Sequence, residues 1–582
     1  MSPCVLQAAI IVAAAGSPTA LEAPPAPPPG WPTGTTPDDP YLLCQPTSRE
    51  PNWPTFHLLG NVSRGASGKK LALGKSGDAN AIFRYQGLYH AMNQAAGANW
   101  AHAVSSDLVH WHHVKEALGS YPSSPAWDRD QCDGTVSFPD LGAPPFNGSA
   151  PIIMYGPDCG TPVPKPNGSK AGPGGLGTAD APRVGTARAA VPLSPYLLDW
   201  VKPGGQPDGK RMPVQFEGIP CSFPGRVWKS KVQNNTWNML CAKAAPWPKG
   251  GHGVPAGMWT KYTSQKNDLL KWKLDPKPFS QTPDGKAAPV WPCSGPYFHK
   301  LPGAPEGGPT HLLQGGCDGD IFELGTYDSE TEVLTVTAHA QVDVPDLGKW
   351  GQQMSYHWGA SGRELPDTDP DTDSGRLFTF AWIASLNIGG CAEAGGCIPS
   401  MMSLIRELKY DAAVGVTSYP VEEYATKLRN ATILNEQQAA PLAGGALRTL
   451  PLSQNTGGAL DILVSFDVNT TASGFGLAVR ASSHAMEDAA LIVTVQSVSM
   501  PDAAGARNVT IMFTQPAAGD ALRRTATNTT YQAIKTVPIL PGEHTIDVRV
   551  LVDKPAVEAF VNGEKPKRPP RLTVEFPRSV AT

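Results

Sequence analysis

Three things are scarce in this chain of 582 residues. Segregated charge is the first. Lysine and arginine number 47 against 51 aspartate and glutamate, leaving a net charge of −4 with no basic cluster. That argues against nucleic acid or an anionic membrane surface as the main partner. Long apolar sequence is the second. Only Val5 to Ala15 forms an apolar run, and it is too short to span a bilayer. Followed by Gly16-Ser17, it suits the core of an export signal over residues 1–20, although no basic residue precedes it. The third is metal-ligand spacing. Ten cysteines include no Cys-x-x-Cys pair and no close Cys/His cluster, so zinc is not indicated. The acid-rich tract Asp367-Thr368-Asp369-Pro370-Asp371-Thr372-Asp373 lacks the glycine and terminal glutamate of an EF-hand and reads as a solvated hairpin tip. No metal and no cofactor are expected.

Glycine and proline, in contrast, are plentiful at 60 each, which favours many short strands joined by turns. Residues 21–50 are dominated by proline and read as an extended spacer. From Phe56 to about residue 412, short aromatic or β-branched runs follow one another without long helices and without a clean repeat, a pattern suited to a β-propeller. A linker over 413–430 is helical or extended. Within 431–582, runs such as Leu460–Phe466, Leu491–Val495 and His544–Val552 alternate in polarity as the strands of a β-sandwich do. Asn-x-Ser/Thr acceptors at Asn61, Asn147, Asn167, Asn234, Asn430, Asn469, Asn508 and Asn528 fit a secreted or vacuolar glycoprotein. Cys391 and Cys397 bracket a loop that a disulfide could close; the pairing of the other cysteines is not legible.

The most informative stretch is Gly77 to Trp111. Ile82 to Tyr85 and Leu88 to His90 flank Gln86-Gly87, as an antiparallel hairpin requires. Asp78 and Asn80 stand at its start among small neighbours, and Gln94 and Trp100 lie at the ends of later strands, so polar groups converge on one depression. Gly77-Asp78-Ala79-Asn80-Ala81, Tyr89-His90 with Gln94, and Trp100-Ala101-His102-Ala103-Val104-Ser105-Ser106-Asp107-Leu108-Val109-His110-Trp111 resemble, in order, three motifs of the invertase-type β-fructofuranosidases, glycoside hydrolase family 32. Weaker likenesses follow at Gly325–Asp328, Gly359–Ser361, Phe380–Ile383 and Leu404–Leu408. Asp553-Lys554-Pro555-Ala556-Val557-Glu558-Ala559-Phe560-Val561-Asn562-Gly563 resembles the signature of that family's C-terminal domain, with Glu558 structural.

The resemblance implies an all-β chain, a five-bladed β-propeller over 51–412 followed by a β-sandwich, with the site at one end of the central channel. It also implies a carbohydrate ligand: sucrose, fructan or a related furanoside. Retaining glycosidases use two carboxyl groups about 5–5.5 Å apart, one a nucleophile and one a proton donor. Asp78 takes the nucleophile's place. Asn80, Gln94, Trp100, Asp133 and Thr135 are expected to line the pocket. The family's proton donor, a glutamate in Trp-Glu-Cys-Pro, falls on Pro292, which cannot carry a proton. Its Arg-Asp-Pro motif is altered as well, to Ser222-Phe223-Pro224, with Arg226 nearby as a surface or strand-partner arginine. Asp133, Glu217, Asp318 and Asp320 are candidate substitute acids, whereas His90 and His102 read as strand residues with local hydrogen bonds. Loss of a general acid costs roughly 10²–10⁴-fold in rate. The sequence therefore supports a slow β-fructosidase, or a catalytically silent homologue that binds sugar or supports an active partner. A propeller glycosidase acting on arabinosyl or galactosyl substrates fits the motifs less well.

Overall fold

The computed structural model describes residues 8–13, 56–59, 76–95, 99–119, 131, 133–138, 151–156, 184–189, 194–203, 214–217, 221, 223–243, 258–265, 267–286, 296–315, 321–341, 357–364, 371, 375–383, 401–436, 447–451, 459–468, 474–479, 491–503, 505–515, 531–553, 556–561 and 572–577. Strands dominate throughout. Ser76–Tyr85 pairs antiparallel with Leu88–Ala95. Gln86 and Gly87 between them both have positive φ, 48° and 89°, as a two-residue type I′ turn demands. Asn99–Ser105 and Trp111–Leu118 complete the first sheet.

Four more sheets follow in chain order. The second holds Gly134–Ser137, Ile152–Tyr155, Gly185–Ala189 and Trp200–Val201. The third holds Phe223–Lys229, Trp237–Lys243, Met258–Gln265 and Asp268–Pro278, with Gln215–Glu217 added at its outer edge. Tyr297–Lys300, His311–Gln314, Ile321–Asp328 and Val333–Gln341 form the fourth, edged by Ser280–Gln281. His357–Arg363, Leu377–Ile383, Arg406–Asp411 and Gly415–Pro420 form the fifth, where Met401–Met402 also pairs with Leu377–Ile383. The leading strands at 76–85, 134–137, 223–229, 297–300 and 357–363 touch one another in a closed cycle. Sheets arranged so that their first strands ring an axis make a β-propeller.

A repeat hidden in the sequence emerges here. Leu108 and Trp111, Leu197 and Trp200, and Leu269 and Trp272 share one Leu-x-x-Trp spacing at the entry to the outer strand of the first three sheets. In two of them the tryptophan Nε1 donates back to the leucine carbonyl, at 3.0 Å for Trp111 and 2.7 Å for Trp272. Asp107 and Asp268 cap these turns by accepting from backbone amides two residues on. The Ser-x-Asp-Leu stretch is thus a structural punctuation mark. Insertions of unequal length between the copies hide it from a search at fixed period.

Beyond a short helical turn at Tyr424–Leu428, two sheets face each other. One has Arg429–Glu436, Leu572–Pro577, Ala459–Asp467, Thr545–Asp553 and Ala556–Val561; the other has Leu447–Pro451, Ala8–Ala13, Phe475–Val479, Leu491–Val498, Arg507–Gln515 and Tyr531–Ile539. Their inner faces share one apolar core that includes Ile462, Val464, Leu477, Val493, Ile511 and Val550, the sandwich expected from the alternation of the sequence. The apolar stretch read as an export-signal core lies here as a strand, parallel to both neighbours. Among the described residues no helix is long and apolar enough to cross a membrane.

Propeller and sandwich meet at His57. Its Nδ1 lies 2.8 Å from Asp553 Oδ2 and its Nε2 2.7 Å from Glu558 Oε1, all three residues being buried. Asp553 also accepts from the backbone amides of Phe56 and His57, and Glu558 from that of Leu404. Burial opposes the imidazolium, but the two carboxylates outweigh it and raise His57 to about 9. Glu558 is structural, as the sequence suggests. Removing one member of such a buried ion cluster costs about 3–5 kcal/mol, so Glu558→Ala should lower the melting temperature markedly. Because the folded pKa of His57 lies above its unfolded value of 6.5, the contribution is fully present below pH 6.5 and fades as pH rises through about 9. Thermal denaturation of wild type and Glu558→Ala between pH 6 and 10 checks this: the gap between the two curves should narrow at the alkaline end, leaving the loss of the Leu404 amide bond.

Candidate active site at the end of the propeller axis

The start of the first strand is irregular. Its register against Leu88–Ala95 shifts twice, between Ser76 and Ala79 and between Ala79 and Ala81. Such bulges re-aim side chains, and here they turn Asp78 towards Gln94 on the adjacent strand. Gln94 Nε2 donates to Asp78 Oδ2 at 3.1 Å and to Asp133 Oδ1 at 2.5 Å. Asp133 sits immediately before the leading strand of the second sheet. Gly134 follows it, and a Cβ at that position would stand 2.0 Å from the carbonyl oxygen of Met154. Only glycine lets the strands approach this closely. From the fourth sheet, the Tyr297 hydroxyl lies 2.9 Å from the carbonyl oxygen of Asn80 and 3.0 Å from that of Gly134. One phenol therefore fixes the backbone beside both carboxyl groups. Residues 81–83 and 135–138 line a cavity on the axis, which puts Asp78 and Asp133 together at one end of it.

The two carboxyl groups are in hydrogen-bonding contact. Burial, and then the adjacent Asp133 carboxylate, hold Asp78 well above the usual range, against the opposing Gln94 bond. Burial pushes Asp133 up to about 6, with the bonds to Asp78 and Gln94 opposing. Like charges this close cannot both ionise cheaply, so the pair shares one proton and titrates as a unit.

The other residues expected in the pocket divide differently. Asn80 and Trp100 are fully buried. With its amide oriented to satisfy both partners, Asn80 accepts from Trp100 Nε1 at 3.1 Å and from the Gln94 backbone amide at 3.3 Å. Trp100 belongs to the apolar core between the first two sheets. Both stand behind Gln94. Thr135 is buried and lines the axial cavity, below the carboxyl pair. Glu217 lies on the outer edge of the third sheet, the opposite edge from the axis, where it is exposed and bound to Lys273 at 3.0 Å and Gln265 at 2.9 Å. It is not brought to Asp78. Pro292, Asp318, Asp320, Cys391 and Cys397 lie outside the described residues.

His90 Nδ1 and His102 Nε2 share a hydrogen bond at 2.9 Å, and burial holds both well below the usual histidine range. They are neutral strand residues, as expected. Arg226 is no surface residue: it is buried on the leading strand of the third sheet and donates to the Phe298 carbonyl of the fourth at 2.5 Å. Asp371, expected on a solvated tip, bridges Lys231 at 2.8 Å and His311 at 3.3 Å, and these partners depress it to about 2. One acid escaped the sequence reading. Glu323 is buried and raised by that burial to about 8. It lies two strands out from the leading strand of its sheet, roughly 9–10 Å at the normal strand spacing, so it does not join the site. A disulfide joins Cys221 to Cys241 across the inner edge of the third sheet.

A propeller with paired carboxyl groups at one end of its axis and a sandwich behind it defines the class of propeller glycosidases. Within that class, the family model described as "Glycosyl hydrolases family 32 C terminal" matches residues 424–565. The chain is 24% identical over 530 residues to a sucrose:sucrose 1-fructosyltransferase of Festuca arundinacea, covering 84% of this chain and 71% of that protein. It is 22% identical over 547 residues to a fructan 6-exohydrolase of Triticum aestivum, covering 84% and 81%. In fold it resembles the crystal structure of fructan 1-exohydrolase IIa from Cichorium intybus, with TM-score 0.58, 19% identity and coverage of 91% of this chain and 97% of that one. A sucrose-6-phosphate hydrolase from Lactobacillus gasseri gives TM-score 0.57, 13% identity and coverage of 94% and 100%. Together these likenesses support a member of glycoside hydrolase family 32, the β-fructofuranosidase family.

The shared proton has a direct check. Asp133→Asn removes the neighbouring negative charge, so the pKa of Asp78 should fall towards the ordinary carboxylate range. Infrared difference titration of the carboxyl stretch in wild type and variant would read the shift. An unchanged titration would separate the two groups.

Proposed function

We propose that the protein is a slow retaining β-fructosidase acting on sucrose or fructan, with Asp78 as nucleophile and Asp133 as proton donor in place of the absent glutamate. The observation that carries this reading is the Gln94-bridged pair, which shares one proton between two buried carboxyl groups; at rest the proton favours Asp78, the more strongly raised of the two, and it passes to Asp133 as a sugar enters. The relatives named above supply the substrate class, sucrose and fructan, and a variant of the chicory exohydrolase is known in complex with 1-kestose. In the reaction Asp133 would give its proton to the glycosidic oxygen while Asp78 attacks the anomeric carbon. The carbon–oxygen bond breaks and a fructosyl ester forms. Water, or a second sugar in a transfer, then takes the fructosyl group as Asp133 recovers the proton.

The same geometry favours a second reading in one respect. A retaining pair works at about 5–5.5 Å, whereas these two groups touch, so a sugar must part them before either acts. That supports slow turnover, or binding of sugar without turnover. Export to the cell exterior or vacuole fits the spread of glycosylation acceptors, of which Asn234 lies at the tip of an exposed turn.

Release of reducing sugar from sucrose, inulin and levan tests the proposal. Slow turnover is expected, abolished by Asp78→Asn and reduced roughly 10²–10⁴-fold by Asp133→Asn. Activity should rise with pH through about 6, as the pair gives up the first of its two protons, and fall only at higher pH, as the second leaves. Full activity in Asp133→Asn would dismiss Asp133 as donor. A rise in melting temperature with fructan but no hydrolysis would establish the binding role instead.

A further inference from the structure

We infer that the protein carries N-linked glycans at Asn234 and Asn508, and that these sugars cover the apolar side chains the fold leaves exposed beside them. Eight asparagines stand in Asn-x-Ser/Thr acceptors. Two of them, Asn234 and Asn508, have side chains among the described residues, and both are exposed.

Asn508 stands near the start of the strand Arg507–Gln515, which pairs with Leu491–Val498 on one side and Tyr531–Ile539 on the other. Val509, Ile511 and Phe513 enter the sandwich core. Side chains alternate along a strand, so Asn508, Thr510 and Met512 take the outer face. The two residues that define the acceptor, Asn508 and Thr510, thus stand on the solvent side with buried Val509 between them. Asn234 lies in the turn joining the first two strands of the third sheet, where residues 231–235 are all exposed. Thr236 Oγ1 donates to the Asn234 carbonyl at 3.2 Å, which holds both residues of that acceptor in one turn.

The apolar surface supplies an independent observation. Among the described residues only four large apolar side chains are exposed: Val232, Val414, Met500 and Ile534. Three of the four adjoin these acceptors. Val232 precedes Asn234 by two residues in the same exposed turn. Met500, 82% exposed, follows Ser499. The Ser499 amide donates to the Asn508 carbonyl, and the Asn508 amide to Ser499 Oγ, both at 2.8 Å. Ile534, 57% exposed, stands opposite Met512 on the neighbouring strand. It shares the outer face with Asn508, about 13 Å along the sheet at the normal rise. A single exposed apolar residue needs no explanation. Their gathering around two acceptor asparagines points to a cover, and a glycan is a bulky, hydrated one.

In the modification, asparagine Nδ2 bonds to the anomeric carbon of N-acetylglucosamine. The bond from that carbon to a lipid diphosphate breaks, and the amide gives up one proton. The donor, a lipid-linked oligosaccharide, belongs to the export route. The inference therefore rests on the export proposed above and is independent of any reaction on sucrose or fructan.

The test uses the full chain, expressed in a eukaryotic secretory host. An amide-hydrolysing glycosidase converts each glycosylated asparagine to aspartate, so mass mapping in heavy-oxygen water reads positions 234 and 508 directly. Most molecules should be modified at both. Thr510→Ser should keep the sugar at 508. Asn508→Gln should lose it and bind more strongly to a hydrophobic-interaction column. Adding Met500→Lys and Ile534→Lys to that variant should return retention to the wild-type value. A secreted chain with sugar at other acceptors and none at 234 or 508 would overturn the inference and leave export standing. A chain kept in the cytosol without sugar would overturn both. Unchanged retention of Asn508→Gln would refute the covering role. Should that variant fail to fold, enzymatically deglycosylated wild type answers the same question.

Discussion

A buried imidazole anchors the junction between the two halves of this molecule, within an apolar seam that includes Leu404, Leu551 and Phe560. His57 stands between Asp553 and Glu558 with both ring nitrogens engaged, and its own segment is the piece of chain that precedes the first propeller sheet. That segment also closes the ring: Met402 donates to the Leu58 carbonyl, and Leu59 bridges Met401 at the edge of the fifth sheet. A propeller must join its last sheet to its first or splay open. Here the closing segment is gripped by the sandwich, so ring closure and domain docking share one buried charge cluster. Its members satisfy backbone amides as well as each other, which offsets the cost of burying three ionisable groups.

The rigidity of that ring sets the geometry of the site. Asp78 and Asp133 come from different sheets, and the Gln94 side chain bridges them. Tyr297, from a third direction, ties the carbonyls beside them, and Gly134 permits the close approach that the contact needs. The spacing of the carboxyl groups is therefore a property of the backbone. Their chemistry follows from the spacing: two acids in contact and out of water must share a proton, whereas the same two residues parted by a few ångströms would each titrate alone.

The sequence made the ring and the sandwich legible because strand alternation, turn residues and two motifs agreed. Asp78 and Gln94 were legible for the same reason, and Asp133 because a carboxylate stood where a small hydroxyl residue was expected. The failures have a common cause. Asn99–Ser105 is buried at every position, so the rule that one face is wet gives no guidance there, and the hydrogen bonds of Asn80 to Trp100 and Gln94 were not legible. Arg226 illustrates the same limit from the charged side. An arginine flanked by Gly225 and Val227 reads as exposed, yet it points along an axis that no local pattern reveals. Glu217 failed because its strand pairs across the outer edge of a sheet, a non-local fact. The Leu-x-x-Trp repeat was missed because unequal insertions removed its period.

The charges along the axis make a last point about design. The carboxyl pair occupies one end, and Arg226, Arg363 and Thr135, the last two residues on from Asp133, line the interior. Were the interior lined with acids, the carboxyl pair would be driven still further from ionisation, and Asp78 could not serve as a nucleophile at all. No acid is among the described residues that line the cavity, so the raised state of the pair follows from its burial and from the contact of the two carboxyl groups themselves.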